Sequence, residues 1–108
     1  VTLQLPAPIA AYFLATNHHD IDSMLLPFAA EAVVHDEGGE HVGHVAIRAW
    51  MVETKNKYRV TVEPQEAREA GDKTTVAGLV SGNFPGSPAI LHYGFTHSPA
   101  EIHRLEIG

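Results

Sequence analysis

The sequence contains no cysteine. That absence excludes a disulfide scaffold, a thiolate nucleophile, an iron–sulfur cluster and a zinc finger together. Basic residues are scarce: seven Lys and Arg stand against thirteen Asp and Glu, a formal net charge of −6. With no basic stripe, a nucleic-acid partner is not expected. No apolar run approaches the ~18 residues of a membrane-crossing helix, so no membrane partner is expected either. The first residues lack the basic stretch and apolar core of a signal peptide, and the expected location is cytoplasmic. There is no P-loop and no G-x-G-x-x-G, and no nucleotide cofactor is expected. None of the four serines (Ser23, Ser81, Ser87, Ser98) sits in a G-x-S-x-G elbow.

What is present is a chain of 108 residues with 44% hydrophobic content and eight histidines. The length allows one domain, residues 1–108, of modest core. A protein this small buries only about two-thirds of the surface its unfolded chain exposes, so an interior cavity would be taken from an already thin core.

The pattern reads as helices first and strands later, an α+β domain. Pro6-Ala7-Pro8 starts a helix, and Ile9, Tyr12, Phe13 and Thr16 give it one buried face. Asn17-His18-His19 interrupts it. Asp20 is a good N-cap for a short second helix carrying Ile21, Met24 and Leu25, which Pro27 ends. Ala32 to Asp36 is expected as a strand and Glu37-Gly38-Gly39-Glu40 as a turn or loop. A third helix is expected from Val45 to Lys55, with Ile47, Trp50 and Met51 sharing a face. Strands follow over Tyr58–Arg68, Lys73–Gly82, Ala89–His97 and Ile102–Ile107. Pro64 marks a bulge or edge position in the first of these. The expectation is three helices against a mostly antiparallel sheet of four or five strands.

Asp36 is the most informative residue. Alternate strand residues share a face, so Ala32, Val34 and Asp36 point one way. If that way is inward, a carboxylate sits at the rim of an apolar space, where desolvation makes it a stronger base. Aspartate before Glu-Gly-Gly is equally ordinary turn chemistry, and the residues alone leave both readings open. Tyr12 lies on the apolar face of the first helix, and its hydroxyl needs a partner: a backbone carbonyl, a water, or a substrate oxygen. Trp50 is either a core residue or a wall for a flat ligand. The histidines carry less than their number implies. His41 and His44 fall three apart and on opposite faces of a strand, and His92 and His97 also face opposite ways. No metal-ligand spacing is present near His35, His41 and His44, and no metal is expected. Asn83-Phe84-Pro85-Gly86-Ser87-Pro88 is dense in breakers and could gate a pocket, but it is already accounted for as a strand connection.

Taken together, Tyr12, Ala15, Asn17, Asp20, Asp22, Phe28, Ala29, Ala32, Val34 and Asp36 resemble the N-terminal signature of the nuclear-transport-factor-2-like (NTF2-like) superfamily. They are most similar to its SnoaL-like and ketosteroid-isomerase-like branches. Gly43-His44-Val45-Ala46-Ile47-Arg48-Ala49-Trp50 is similar to the start of that family's third helix. Ser81 to Pro88, with strands ending Leu105-Glu106-Ile107, resembles a SnoaL-like subgroup. The resemblance covers essentially the whole chain, and it speaks to fold more than to activity.

The resemblance implies a cone-shaped α+β barrel, three helices packed in a strongly curved sheet and open at one end. It implies that Asp36 matches the steroid isomerases' general base and Tyr12 their oxyanion-donating tyrosine. It also implies a departure: the protonated aspartic acid of the isomerases matches Leu91 here, and losing one such donor typically costs about 10²–10³ in rate. The same alignment turns Leu91, Tyr93 and Phe95 inward. On the neighbouring strand it turns Val76, Gly78, Val80 and Gly82 inward, with the glycines leaving space.

The expected ligand is a small apolar carbonyl compound held by Trp50, Val34, Val80, Leu91, Tyr93 and Phe95. The expected activity is proton transfer, of isomerase, cyclase or dehydratase type, with a non-catalytic binding or dimerisation module as the alternative. The outer face, with Ala77, Leu79, Ile90 and His92, is expected to pair with a second copy.

Overall fold

The computed structural model describes residues 4–108. Helix α1 spans Ala7–Asn17 and α2 Ile21–Leu25; strand β1 spans Phe28–Asp36 and β2 Gly39–Val42. Helix α3 then covers Gly43–Tyr58, followed by β3 (Thr61–Ala70), β4 (Lys73–Ser81), β5 (Ala89–His97) and β6 (Ile102–Ile107). The six strands form one curved, unclosed sheet in the order β2-β1-β6-β5-β4-β3. All neighbours are antiparallel except β1 and β6, which run parallel. No helix among the described residues is long and apolar enough to cross a membrane.

Several local expectations are met for the reasons that motivated them. The Asp20 carboxylate caps α2, accepting from the Ser23 amide at 3.2 Å and the Ser23 hydroxyl at 2.8 Å. Pro64 sits both on an edge strand and at a register shift between Pro64 and Glu66. Asn17 interrupts the helix pattern because it has another task. Its amide donates to the Val62 carbonyl at 2.8 Å and accepts from the Val62 N–H at 2.7 Å. This pairing gives the edge strand β3 a backbone-like partner and ties it to the end of α1.

Other expectations are corrected. Strand β1 begins at Phe28, four residues before Ala32, because Pro27 ends α2 and the chain extends at once. Half of the Glu37–Glu40 segment is strand. Only Glu37 and Gly38 form the turn, both at positive φ, a two-residue connection closing the Asp36–Gly39 pair. A hairpin therefore stands between α2 and α3, and the sheet has six strands rather than four or five. Helix α3 runs on to Tyr58, which was expected in a strand; Arg59, at φ 48, closes it in the left-handed conformation. The barrel is a sheet with two free edges, β2 and β3.

The core is concentrated at one end. Tyr12, Phe13, Phe28, Tyr93 and Phe95 form a run of ring contacts with centroids 5.2–6.4 Å apart. Inward residues of β5 lose burial in order, from Phe95 at 1% exposed through Tyr93 at 4% to partly exposed Leu91 and Ala89. Gly78 faces inward on β4, whereas Gly82, expected as the end of that strand, lies just past its last residue, Ser81; at both the space is occupied. A Cβ on Gly78 would lie 2.7 Å from the Val62 side chain, and one on Gly82 would lie 2.6 Å from the Tyr58 carbonyl oxygen. They permit close approach of β3 and the α3 terminus rather than leaving a void.

We predict that Gly82→Ala destabilises more than Gly78→Ala, because a backbone carbonyl yields less than a valine methyl. The expected cost is about 1–3 kcal/mol for the former, measured by urea unfolding. Equal midpoints for the two variants and the parent would contradict the packing described.

Candidate functional site

Between the aromatic core and the open end lies a cavity of about 390 Å³. Asp36, Tyr12, Trp50, Val80, Leu91 and Tyr93 all line it. Val34 and Phe95, expected as walls, do not: at 0% and 1% exposure they belong to the packed core beneath. Their inward direction was read correctly; their depth was not, because strand alternation gives a face and not a level along the axis. Further wall residues are Glu37 and Tyr58, given no ligand role above, and Phe84 and Pro85 of the loop considered as a pocket gate. The loop between β4 and β5 thus contributes to the cavity as well as joining two strands. The signal available for it was an aromatic residue set among breakers.

Asp36 is the last residue of β1, so the strand holds its backbone while the Glu37–Gly38 turn leaves its side chain at the cavity. Its carboxylate does more than cap that turn. The indole Nε1–H of Trp50, two turns along α3, donates to Asp36 Oδ2 at 3.0 Å. This bond was missed because it joins residues 14 apart on different elements. The His41 ring from β2 stacks on Trp50 with centroids 6.1 Å apart and planes 28° from parallel. A smaller pocket of about 180 Å³ adjoins the main one, sharing Asp36, Glu37 and Trp50 and adding His41, Glu53 and Lys57.

The electrostatics follow from this placement. Burial raises the Asp36 carboxyl above its ordinary value; the Trp50 hydrogen bond opposes that shift, and the Glu37 charge adds to it. Tyr12 and Tyr93 are both held well above the usual phenol range, chiefly by burial and further by the Asp36 charge. The Thr16 side chain, within hydrogen-bond reach of the Tyr12 hydroxyl, opposes that rise, whereas Tyr93 has no such partner. Both tyrosines line the cavity with protonated hydroxyls. Chemically, the arrangement sets a desolvated carboxylate and two neutral O–H donors around an apolar space.

The histidines are dispersed. His44 Nε2 pairs with the Phe28 carbonyl at 2.8 Å and His97 Nε2 with the Thr74 hydroxyl at 2.8 Å. Among the described residues no three His, Asp or Glu side chains gather as metal ligands.

Residues 9–104 match the SnoaL-like domain model. The chain belongs to the SnoaL-like family. A solved structure described as a candidate polyketide cyclase from Sinorhizobium meliloti is 45% identical, with a TM-score of 0.92 over 96% of this chain and 95% of that one. A ketosteroid-isomerase-like protein from Catenulispora acidiphila, solved in complex with trimethylamine, is 21% identical with a TM-score of 0.85, over 97% of this chain and 86% of that one. The epoxide hydrolase/cyclase-like enzyme SalBIII, of pyran ring formation in salinomycin, is 22% identical with a TM-score of 0.81, over 93% and 85%. The last two likenesses speak to fold alone. No curated protein matches the chain. SnoaL-like membership places the three helices and the curved sheet of this chain among NTF2-like folds.

The raised Asp36 carboxyl has a consequence for stability. The unfolded chain releases this proton at lower pH than the folded one, so the folded state loses relative stability as pH rises from the ordinary carboxylate value through the raised one. We predict that Asp36→Asn, which can still accept from Trp50, has a higher Tm than the parent at pH 7. The difference should shrink toward zero below about pH 4. Thermal unfolding across that range checks it; a lower Tm at neutral pH would contradict the assigned environment.

Proposed function

We propose that this SnoaL-like chain, acting as one unit, catalyses proton transfer on a small, mostly apolar carbonyl compound bound in the 390 Å³ cavity. The observation that carries the reading is the desolvated Asp36 carboxylate at a cavity lined by two protonated phenols. Asp36 takes a proton from the carbon next to the carbonyl. The C–H electron pair moves to form the enolate, and its negative charge settles on the carbonyl oxygen. Tyr12 donates a hydrogen bond to that oxygen, as the resemblance to the steroid isomerases implies. In an isomerisation, protonated Asp36 then returns its proton to a different carbon of the conjugated enolate; in a ring closure the enolate carbon instead attacks a second carbonyl carbon of the same molecule, and Asp36 gives its proton to the alkoxide so formed. Trp50 keeps the carboxylate oriented throughout. Leu91 supplies no second donor, but Tyr93 lies two residues further on the same face of β5 and offers its phenol instead. Walls such as Leu91 and Val80 exclude water and favour an apolar substrate.

The alternative is a binding module without turnover, favoured by one feature: a leucine where the isomerases carry an acid. Exchange of α-protons of small cyclic ketones into deuterated water, followed by NMR, separates the two. Under the enzyme reading, the parent accelerates exchange and Asp36→Asn lowers the rate by about 10²–10⁴. Tyr12→Phe lowers it by about 10²–10³. Activity should rise with pH along a limb lying above the ordinary carboxylate value, and then hold, because both phenols stay protonated into strongly alkaline solution. Exchange at the same rate in the parent and Asp36→Asn would leave only the binding reading.

We also infer that the protein works in the cytoplasm as a homodimer joined through the outer sheet face. Support comes from the paired outward residues Ala77–His92 and Leu79–Ile90, with Ile90 47% exposed. The expected result in light scattering is a dimeric parent and a monomeric Ile90→Glu variant. A monomeric parent would overturn it.

A further inference from the structure

The cavity has an unusual side-chain set for a protein with so few aromatic residues. All three tyrosines and the only tryptophan line it, together with Phe84. Its charged lining is of one sign, Asp36 and Glu37, with no lysine, arginine or histidine. The ion pairs among the described residues, Arg48–Asp22 and Arg104–Glu106, do not involve Asp36. Glu37 is partly matched by Lys57, which stands outside the main cavity with its ammonium 5.0 Å from the Tyr58 ring centroid. Asp36 has no lysine or arginine beside it; its side-chain hydrogen-bond partner is a neutral indole, and the attraction of His41, in the adjoining pocket, is the smallest influence on it.

A part-buried carboxylate with no cation on its cavity side, walled by aromatic rings, is complementary to one chemical class. The faces of Trp and Tyr rings attract an ammonium within about 6 Å, and more strongly where water is excluded. Alkyl groups on that ammonium would meet the remaining apolar wall, Val80 and Leu91. The formal net charge of −6 also raises the local concentration of cations. We propose that the cavity takes a compact alkylammonium ion, its charge set between Asp36 and the rings of Trp50, Tyr12 and Tyr93. This goes beyond the proton-transfer reading and stands without it, since a carboxylate can be a counter-ion whether or not it also accepts a proton. A carbonyl compound bearing an alkylammonium substituent would use both properties of Asp36.

The probes are choline and its neutral isostere 3,3-dimethyl-1-butanol, which share a shape and differ in charge. Trp50 is the chain's single tryptophan and lines the cavity, so its fluorescence reports occupancy, with calorimetry as the second readout. The expected result is saturable choline binding about tenfold tighter than that of the alcohol, and loss of that preference in Asp36→Asn. Equal or tighter binding of the alcohol, no saturable choline binding, or a preference that survives in Asp36→Asn would each overturn the proposal. If circular dichroism shows that the variant does not fold, the comparison of the two probes on the parent decides alone. The ketone exchange assay is a separate measurement, so either reading can fail without the other.

Discussion

One hydrogen bond, from the Trp50 indole to the Asp36 carboxylate at 3.0 Å, joins the two halves of this structure. It links the end of β1 to the middle of α3 across the cavity wall, and most features of the site follow from it. With the Glu37 backbone amide it gives a desolvated carboxylate polar partners enough to fix its direction and too few to offset the cost of burial. A salt bridge in that place would hold the group more firmly ionised and make it a poorer base. His41, stacked on the indole, limits where Trp50 can move. The packing beneath completes the arrangement: the aromatic run from Phe28 to Phe95 fills one end of the sheet, so the other end can stay open.

Much of this was legible in the sequence, and the reasons differ by element. The direction of Asp36, Val34, Leu91, Tyr93 and Phe95 follows from strand alternation, which is a geometric certainty once a strand is granted. The Asp20 cap and the Pro64 irregularity are local chemistry and needed no tertiary information. What escaped was of two kinds. The β2 strand, only four residues long, is hidden by the two glycines and two acidic groups of Glu37–Glu40, whose turn occupies just two positions. The Asn17–Val62 clamp and the Trp50–Asp36 bond are long-range pairings of single polar atoms, and no periodicity encodes them. For the same reason Val34 and Phe95 were assigned to the right face but to the wrong depth.

Gly78 of β4 and Gly82 just beyond it show how a glycine can mean close packing rather than space: what they admit is the Val62 side chain and the Tyr58 carbonyl. The residue that fills the space at Gly78 is the one whose backbone Asn17 holds, so the clamp at the end of α1 and the glycine of β4 act on one point of β3. The cavity owes its volume instead to the fall in side-chain size along β5, from Phe95 and Tyr93 to Leu91 and Ala89.

Asp36 ends a strand hydrogen-bonded on both sides, whereas Phe84 and Pro85 hang from the connection between β4 and β5. The group that does chemistry and part of the wall that chooses a ligand are thus mounted on separate supports, one stiff and one replaceable. Substitutions in residues 83–88 can reshape what enters without moving the carboxylate. A scaffold divided in this way can change its clientele by drift in a single loop.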